Sequence, residues 1–348
     1  MNQKSINKFK LFSNCIPVKG SRRSLICDVQ RGEMKLIPNG LYEILSDYNG
    51  KTYDEIIEDY GEDNKPTIDE YFEFLEENEF IFWTPDPENF PDINPEWDYP
   101  GSITNAIIDS NENSTHDYAV IFQQLSDLGC KAVQLRFYNT CSLEQIEAIL
   151  KTAENTRIQH IDFFIKYNDT LNKEAVQKFC TDNLIIQFMC IHSATTNDDK
   201  VEIENYSTRV LYTTEAVADH THCGIIASEY FVVNIPSFLE AKQYNSCLNR
   251  KISVDINGDI RNCPSLPKTY GNITTTSLHS ALVQKDFKDL WEINKDQIEI
   301  CKDCEFRFVC TDCRAFLKEP NDKFSKPGKC TYDPYTATWA DNANIDAT

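Results

Sequence analysis

The chain has 348 residues and a formal net charge of −21 at pH 7. This length is enough for two or three domains with their own cores, and the acidic balance argues against a nucleic-acid-binding protein. The first residues contain no apolar signal-peptide core, and no apolar run is long enough to span a membrane. We therefore expect a cytoplasmic protein with no membrane partner, whose fourteen cysteines remain thiols in a reducing compartment.

The N-terminal part of the chain is predicted to form strands followed by helices. Short runs rich in β-branched and aromatic residues predict strands over residues 9–18, 24–29 and 34–37. Helical spacing of apolar residues predicts helices over 41–48, 53–60 and 67–77, followed by a closing strand over 80–84. Thr52 is the expected cap of the second helix, and Thr67 with Glu70 forms a capping-box pattern at the third.

Three strands followed by three helices resemble a winged-helix peptide-binding module. It is the recognition element found in enzymes that mature ribosomally synthesised and post-translationally modified peptides (RiPPs). The resemblance implies that the leader of a precursor peptide adds as a strand between the third strand and the third helix. The candidate contact residues are Met34, Lys35 and Leu36 on the strand, and Tyr71 and Phe74 on the helix. For the two aromatic residues the alternative is a place at the edge of the core.

The charge of this region is unevenly distributed. Residues 1–35 hold eight basic and two acidic residues, a balance of +6, whereas residues 43–98 hold two basic and nineteen acidic residues, a balance of −17. DNA binding is the usual alternative for a winged helix, but so acidic a surface would repel the phosphate backbone. The distribution favours a peptide of mixed charge.

A proline-rich, acidic stretch over residues 85–100 predicts an extended linker to a second domain. Beyond it, strands over 103–108, 131–137, 159–166 and 184–190 alternate with helices over 116–128, 142–153 and 172–180. Further strands are expected over 210–213 and 231–234. Such alternation indicates βαβ units and a parallel sheet, and it resembles the partial (β/α)6 barrel of radical-SAM enzymes.

The barrel-like region lacks the residues that radical-SAM enzymes use to hold their cofactor. In that family a Cys-x3-Cys-x2-Cys motif follows the first barrel strand, but residues 109–115 here read Asp-Ser-Asn-Glu-Asn-Ser-Thr. The Gly-Gly-Glu expected after the second strand is replaced by Arg-Phe-Tyr-Asn at 136–139. Three thiolates are needed to hold a cluster with one iron open to SAM, so we expect neither SAM binding nor SAM cleavage.

Seven of the fourteen cysteines lie between Cys247 and Cys330, four of them within thirteen residues. They are spaced as Cys-x10-Gly-x4-Cys, then Cys-x2-Cys-x5-Cys-x2-Cys, then a final cysteine. A Cys-x2-Cys step places two thiolates on one tight turn, which suits a metal ion or a cluster. The alternative is a group of buried structural thiols.

This spacing resembles the SPASM domain, which carries auxiliary [4Fe–4S] clusters in radical-SAM peptide-modifying enzymes. It departs from the usual pattern at Cys310 and Cys313, where the family more often has three intervening residues. The flanking sequence is closest to SPASM proteins of grasp-with-SPASM systems, which are encoded beside an ATP-grasp peptide ligase. The resemblance implies two clusters, one held by Cys247, Cys263 and Cys313, and the other by Cys301, Cys304, Cys310 and Cys330.

The first of these clusters lacks a fourth cysteine within the motif. Cys223, in the segment His-Thr-His-Cys-Gly at 220–224, is the candidate ligand, and His222 is a less favoured one. The alternative for Cys223 is a packing or turn role. Cysteines 130, 141, 180 and 190 are interpreted as buried apolar residues.

The predicted fold class is therefore α/β. It comprises a winged-helix-like recognition module (1–84), a linker (85–100), a degenerate radical-SAM-like partial barrel (101–240) and a SPASM domain (241–348). The leading functional hypothesis is an iron–sulfur partner in RiPP maturation that binds a leader peptide and acts with an ATP-grasp ligase. Two alternatives remain, namely an oxidoreductase that passes electrons to a peptide or partner, and a zinc-stabilised scaffold. Seven ligands do not complete two four-cysteine zinc sites, which favours iron–sulfur, and no independent catalytic constellation is evident.

Overall fold

The computed structural model describes residues 6–201 and 208–340. It is a mixed α/β structure with one large, mainly parallel sheet. The N-terminal strands are β1 (Lys8–Leu11), β2 (Cys15–Val18), β3 (Ser24–Asp28), β4 (Glu33–Ile37) and β5 (Ile81–Thr84). The strands of the large sheet are β6 (Asn105–Ser110), β7 (Ala132–Thr140), β8 (His160–Lys166), β9 (Ile186–His192), β10 (Asp198–Val201), β11 (Arg209–Tyr212), β12 (Lys251–Val254) and β13 (Ile260–Arg261). A short C-terminal hairpin is formed by β14 (Tyr332–Asp333) and β15 (Thr338–Trp339).

The helices alternate with the strands as the apolar pattern predicts. Three N-terminal helices are α1 (Asn39–Asp47), α2 (Tyr53–Tyr60) and α3 (Lys65–Glu77). The helices beside the large sheet are α4 (Tyr118–Asp127), α5 (Leu143–Ala153) and α6 (Lys173–Asp182). Two further helices are α7 (Ile235–Gln243) and α8 (Leu278–Leu282). Asp117, Ser142 and Asn172 each accept a backbone N–H at the start of α4, α5 and α6, so local capping fixes where these helices begin.

The large sheet has the order β10-β11-β9-β8-β7-β6-β12-β13. Strands β6, β7, β8, β9 and β11 are parallel neighbours, and β12 pairs parallel with β6 on its other side. The sixth parallel strand is thus supplied by the cysteine-rich part of the chain. This pairing places residues around Cys247 and Cys263 directly beside the first strand of the βαβ region.

The predicted strand over residues 231–234 is wrong. In the structure this stretch leads into α7, and Asn234 caps that helix by accepting a hydrogen bond from the Ser237 backbone N–H. Pro236 lies in the first turn of α7, where its missing N–H is not needed. The cap and the proline outweigh the β-propensity of the preceding Val-Val pair.

Two N-terminal predictions also require correction. The expected strand over 9–18 is divided into β1 and β2 by a turn in which the Cys15 N–H donates to the Phe12 carbonyl. Helix α3 begins at Lys65, so Thr67 is not its cap, because Pro66 fits the first turn and a 3-10 turn precedes it. The predicted cap at Thr52 is confirmed, and in the structure it forms a capping box with Glu55.

Strands β2, β3 and β4 form a three-stranded antiparallel sheet that is covered on both faces. On one face, Ile26 and Ile37 pack with the apolar side chains of α1 to α3. On the other, Leu25 and Cys27 pack in a cluster that contains Phe306 from the cysteine-rich region. The N-terminal module is therefore joined to that region through a shared core, and its isolation would expose this apolar face.

A buried polar contact reinforces the same junction. Arg23 Nε donates to Glu305 Oε1 at 2.8 Å, and the Glu305 carboxylate is fully buried. The Tyr332 hydroxyl also donates to Glu305.

Among the described residues, no helix is long and apolar enough to cross a membrane.

Candidate metal centres

The structure brings four cysteines together beside the start of β12. This first cysteine set consists of Cys223, Cys247, Cys263 and Cys313. The thiol of Cys263 lies within electrostatic range of the Cys247 and Cys223 thiols, and that of Cys313 within range of the Cys247 thiol. The set thus contains the three residues expected from the spacing together with the candidate fourth ligand.

Gly224, the residue after Cys223, approaches Cys313 closely. Cys223 follows the 3-10 turn His220–His222, and the next residue, Gly224, has φ +83. A Cβ added to Gly224 would come within 2.9 Å of Cys313 Sγ, so only glycine lets this loop approach so closely. His222 lies in the preceding turn, and its buried Nδ1 has no hydrogen-bond partner among the described residues.

Lys251 places a cation beside the first cysteine set. Its Nζ donates to Cys247 Sγ at 3.5 Å. Burial disfavours the charged ammonium, but the thiolate charges of Cys247, Cys263 and Cys223 outweigh that effect and raise the pKa of Lys251. The ammonium group of Lys251 thus lies against one sulfur of the first cysteine set.

The second cysteine set consists of Cys301, Cys304, Cys310 and Cys330. The Cys301 thiol lies within electrostatic range of the Cys330 and Cys310 thiols, and the Cys304 thiol within range of Cys310. The four thiols of the second set therefore influence one another, and their role as ligands stays a prediction.

A tight turn positions two members of this second set. The Cys304 N–H donates to the Cys301 carbonyl at 3.0 Å, which closes the Cys-x2-Cys step. The preceding residue, Ile300, has φ +66. A β-branched residue in this region costs about 1–3 kcal/mol and is found where the surrounding structure imposes it, often at functional sites.

Lys295 is the corresponding cation of the second cysteine set. It is only 4% exposed, and its Nζ donates to the Thr311 carbonyl at 2.9 Å. Burial disfavours its charge, but Cys310, Asp312 and Cys301 outweigh that effect and raise its pKa. The nearby Asp312 carboxylate is itself held by Arg314 at 2.6 Å and by the Asn245 amide at 2.8 Å.

The buried thiols of Cys263 and Cys301 hold their protons at neutral pH. Burial is the main reason that the pKa of Cys263 and of Cys301 is raised to about 12. A metal or cluster must therefore displace protons when it binds, and its apparent affinity falls as the pH is lowered.

The donor chemistry of both sets fits an iron–sulfur cluster, since four thiols are the number and kind of ligand that a [4Fe–4S] cluster takes. Each thiolate in such a cluster binds a different iron, so the four sulfurs lie further apart than those around a single zinc. Within residues 6–201 and 208–340, no group of three or more His, Cys, Asp or Glu side chains is close enough to hold one ion.

A buried ion pair occupies the end of the βαβ region where a radical-SAM enzyme would hold its cofactor. Asp109 and Arg136 are direct partners on the parallel strands β6 and β7. Arg136 Nε and Nη2 donate to the two Asp109 carboxylate oxygens at 2.6 and 2.7 Å, and both side chains are almost completely buried. The Tyr138 hydroxyl donates to the same carboxylate at 2.8 Å.

Arg136 also connects this ion pair to the first cysteine set, because its Nη1 donates to Cys223 Sγ at 2.6 Å. Sequence reasoning identified 136–139 only as a replacement for the missing motif and did not predict this contact. The available signal was a pair of opposite charges at the ends of two neighbouring apolar strands. The partner sulfur lies 87 residues away, which local patterns cannot reveal.

The proposed peptide-binding residues lie on an outer strand and on the border of the N-terminal core. β4 is a terminal strand of its sheet, and its residues Lys35 and Leu36 are exposed. Met34 is partly buried against the group of apolar residues that contains Leu25. Tyr71 and Phe74 are both partly buried against the N-terminal core. Their role in binding a peptide stays a prediction.

Comparison with known proteins identifies one family. Residues 246–305 match the model of the SPASM iron–sulfur cluster-binding domain. The match includes Cys247, Cys263, Cys301 and Cys304, and it confirms the predicted SPASM resemblance over this stretch. A search of curated proteins finds no match.

Two of the solved structures that resemble the chain are of SuiB from Streptococcus suis. SuiB bound to S-adenosylmethionine has 11% sequence identity and a TM-score of 0.40, covering 91% of this chain and 98% of SuiB. SuiB bound to the precursor peptide SuiA has 10% identity and a TM-score of 0.36, covering 92% of this chain and 99% of SuiB. Neither likeness is close enough to transfer an activity.

Proposed function

We propose that this chain is an iron–sulfur protein of RiPP maturation. It would bind the leader of a precursor peptide and present that peptide to a separate ATP-grasp ligase without cleaving SAM. The observation that carries the proposal is the pair of four-cysteine sets, each with its own lysine, four of whose cysteines lie in the stretch 246–305 that matches the SPASM domain. When bound, two [4Fe–4S] clusters would supply electron-transfer capacity and a cross-link for the cysteine-rich region.

The two cysteine sets would each hold one cluster. Cys301, Cys304, Cys310 and Cys330 would ligate the second cluster, while Cys247, Cys263, Cys313 and Cys223 would ligate the first. The close approach of Gly224, the next residue, to Cys313 supports the assignment of Cys223 as the fourth ligand. With four thiolates each, neither cluster would have an iron open to SAM.

The end of the βαβ region supports a protein that does not cleave SAM. Where a third, SAM-binding cluster would require thiolates, the chain places a carboxylate, a guanidinium and a phenol that satisfy one another. Oxygen and amide groups are poor ligands for a [4Fe–4S] cluster. The space is thus used for a buried polar network that joins β6 and β7 to Cys223.

The N-terminal module would supply the peptide-binding surface. An outer strand offers backbone N–H and C=O groups to an added strand, and neighbouring pockets read alternate side chains. β4 has this position, and Tyr71 and Phe74 would border the added peptide from α3. Because the module shares its core with the cysteine-rich region, a bound leader would be held at a fixed place on the whole molecule.

The ATP-grasp ligase enters the proposal through the grasp-with-SPASM resemblance. A protein that binds the leader and also contacts the ligase raises the effective concentration of the precursor at the ligase. This role needs no catalytic residue in the chain itself. Ester or amide bond formation would then depend on ATP and on the partner.

Leader binding is tested by fluorescence titration of the full chain with a labelled leader from a neighbouring precursor gene. Alternate residues of an outer strand direct their N–H groups away from the sheet, so Lys35→Pro and Leu36→Pro are made separately. We expect one of the two to weaken binding at least tenfold, because it removes a hydrogen bond to the added strand. The alanine variants at the same positions are the controls and should retain most of the affinity, and no binding by the wild-type protein would contradict the proposal.

The SAM prediction is tested by incubating the reconstituted protein with SAM and a strong reductant. We expect no 5′-deoxyadenosine above the no-protein control, because no site for a SAM-binding cluster is provided. In a second reaction, modification of the precursor should require both the ATP-grasp ligase and ATP. Release of 5′-deoxyadenosine, or modification by this chain alone, would refute the corresponding half of the proposal.

A further inference from the structure

Each cysteine set contains one lysine that lies beside its thiols. In the part of the chain that the structure describes, neither Lys251 nor Lys295 forms a salt bridge with an acidic side chain. Lys251 donates to a cysteine sulfur, and Lys295 to a backbone carbonyl beside Cys310. The acidic groups nearest to them are already bound, since Glu240 accepts from Asn249 and Asp312 pairs with Arg314.

Withdrawing an ammonium group from water is unfavourable unless negative groups compensate it. For Lys295, which is almost completely buried, Asp312 is one such group, whereas Lys251 is only partly buried. Within the described residues, the groups that face both ammonium groups in common are thiols of the cysteine sets. A lysine that merely filled space could be replaced by methionine, which has no desolvation cost. The same arrangement at both sites indicates that each lysine interacts with the charged group that the thiolates bind.

We propose that Lys251 and Lys295 are fixed counter-charges of the two clusters, each raising the reduction potential of its own cluster. The inference rests on the two-cluster proposal above. A [4Fe–4S] core bound by four thiolates is an anion, and the addition of one electron makes it more negative. A nearby cation in a low-dielectric surrounding therefore stabilises the reduced cluster more than the oxidised one.

The two lysines act on different clusters. The thiolates that influence Lys251 are Cys247, Cys263 and Cys223, all of the first set. Those that influence Lys295 are Cys310 and Cys301, both of the second set. Replacement of one lysine should therefore change the reduction potential of one cluster and leave that of the other unchanged.

The test is a redox titration of the full chain, with dithionite as the electron donor and the reduced clusters followed by electron paramagnetic resonance. In Lys251→Met and in Lys295→Met, we expect one signal, a different one in each variant, to become harder to reduce. A tenfold shift in the equilibrium between reduced and oxidised cluster corresponds to about 59 mV for one electron, and we expect a shift of at least this size. Lys302→Met is the matched control, because Lys302 lies between two ligands but is exposed to solvent, where its charge is screened.

The arginine variants separate charge from packing. Lys251→Arg and Lys295→Arg keep the positive charge and should retain both the iron and a potential close to that of the wild type, even if a methionine variant loses its cluster. Unchanged potentials in methionine variants that keep full iron would overturn the inference, as would loss of iron in the arginine variants. A wild-type protein without iron and sulfide would instead refute the two-cluster proposal.

Discussion

Replacement of Cys304 by alanine is expected to remove about half of the bound iron, because ligation and folding are coupled at such a site and the turn from Cys301 to Cys304 loses one of its two thiolates. Cys304 closes the Cys-x2-Cys turn with Cys301. The measurement is iron and acid-labile sulfide per chain after anaerobic purification. Cys190→Ala is the matched control, since Cys190 is a buried cysteine of β9 outside both sets and should retain all the iron.

The same Cys304 variant should also lower the thermal stability of the whole chain. Cys304 and Cys330 pack against the cluster of residues that joins the N-terminal sheet to the cysteine-rich region. Since ligation and folding are coupled at such sites, the loss of the iron–sulfur cluster loosens this shared apolar core. A Cys304→Ala protein with full iron and unchanged melting temperature would show that Cys304 is not a ligand.

Replacement of Arg136 by methionine is expected to destabilise the protein by about 3–5 kcal/mol, because it leaves the Asp109 carboxylate buried without its cation. The loss should be measured by urea unfolding of the cluster-free protein, so that cluster loss does not contribute. The double variant Arg136→Met with Asp109→Leu removes both charges and should recover much of the stability.

This pair of variants also tests whether the ion pair is connected to the first cluster. Arg136 Nη1 contacts Cys223 Sγ, so Arg136→Met should alter the spectrum or the iron content of the first cluster only. If the stability losses of Arg136→Met alone and Asp109→Leu alone add up to that of the double variant, a direct interaction between Asp109 and Arg136 is contradicted. An unchanged first cluster would contradict the connection to Cys223.

Local sequence determined much of the βαβ region. Apolar strands of β-branched residues and helices capped by Ser142 and Asn172 can be identified within windows of about ten residues. The position of β12 beside β6 could not be predicted in this way, because strand pairing across nearly 150 residues depends on tertiary packing. The wrong strand prediction over 231–234 has a local cause, since the helix signals of Asn234 and Pro236 outweigh the β-propensity of the valines before them.

The spacing of the cysteines and the SPASM resemblance single out the cysteine-rich region, but they do not reveal the charged residues around the thiols. Nothing in the sequence near Lys251 or Lys295 distinguishes them from the other lysines of the chain. Their positions beside the thiols arise only when β12 and the loop around Cys310 are brought into place. In the same way, the close approach of Gly224 to Cys313 depends on a loop that crosses from the βαβ region to the C-terminal region.

The most direct test of the central claim is a joint analysis of iron, acid-labile sulfide and zinc in wild-type protein purified without oxygen. The account predicts about eight irons and about eight sulfides per chain, four of each for each [4Fe–4S] cluster, with a brown charge-transfer absorption. Stoichiometric zinc without sulfide and without that absorption would contradict it and would establish the zinc-stabilised scaffold instead.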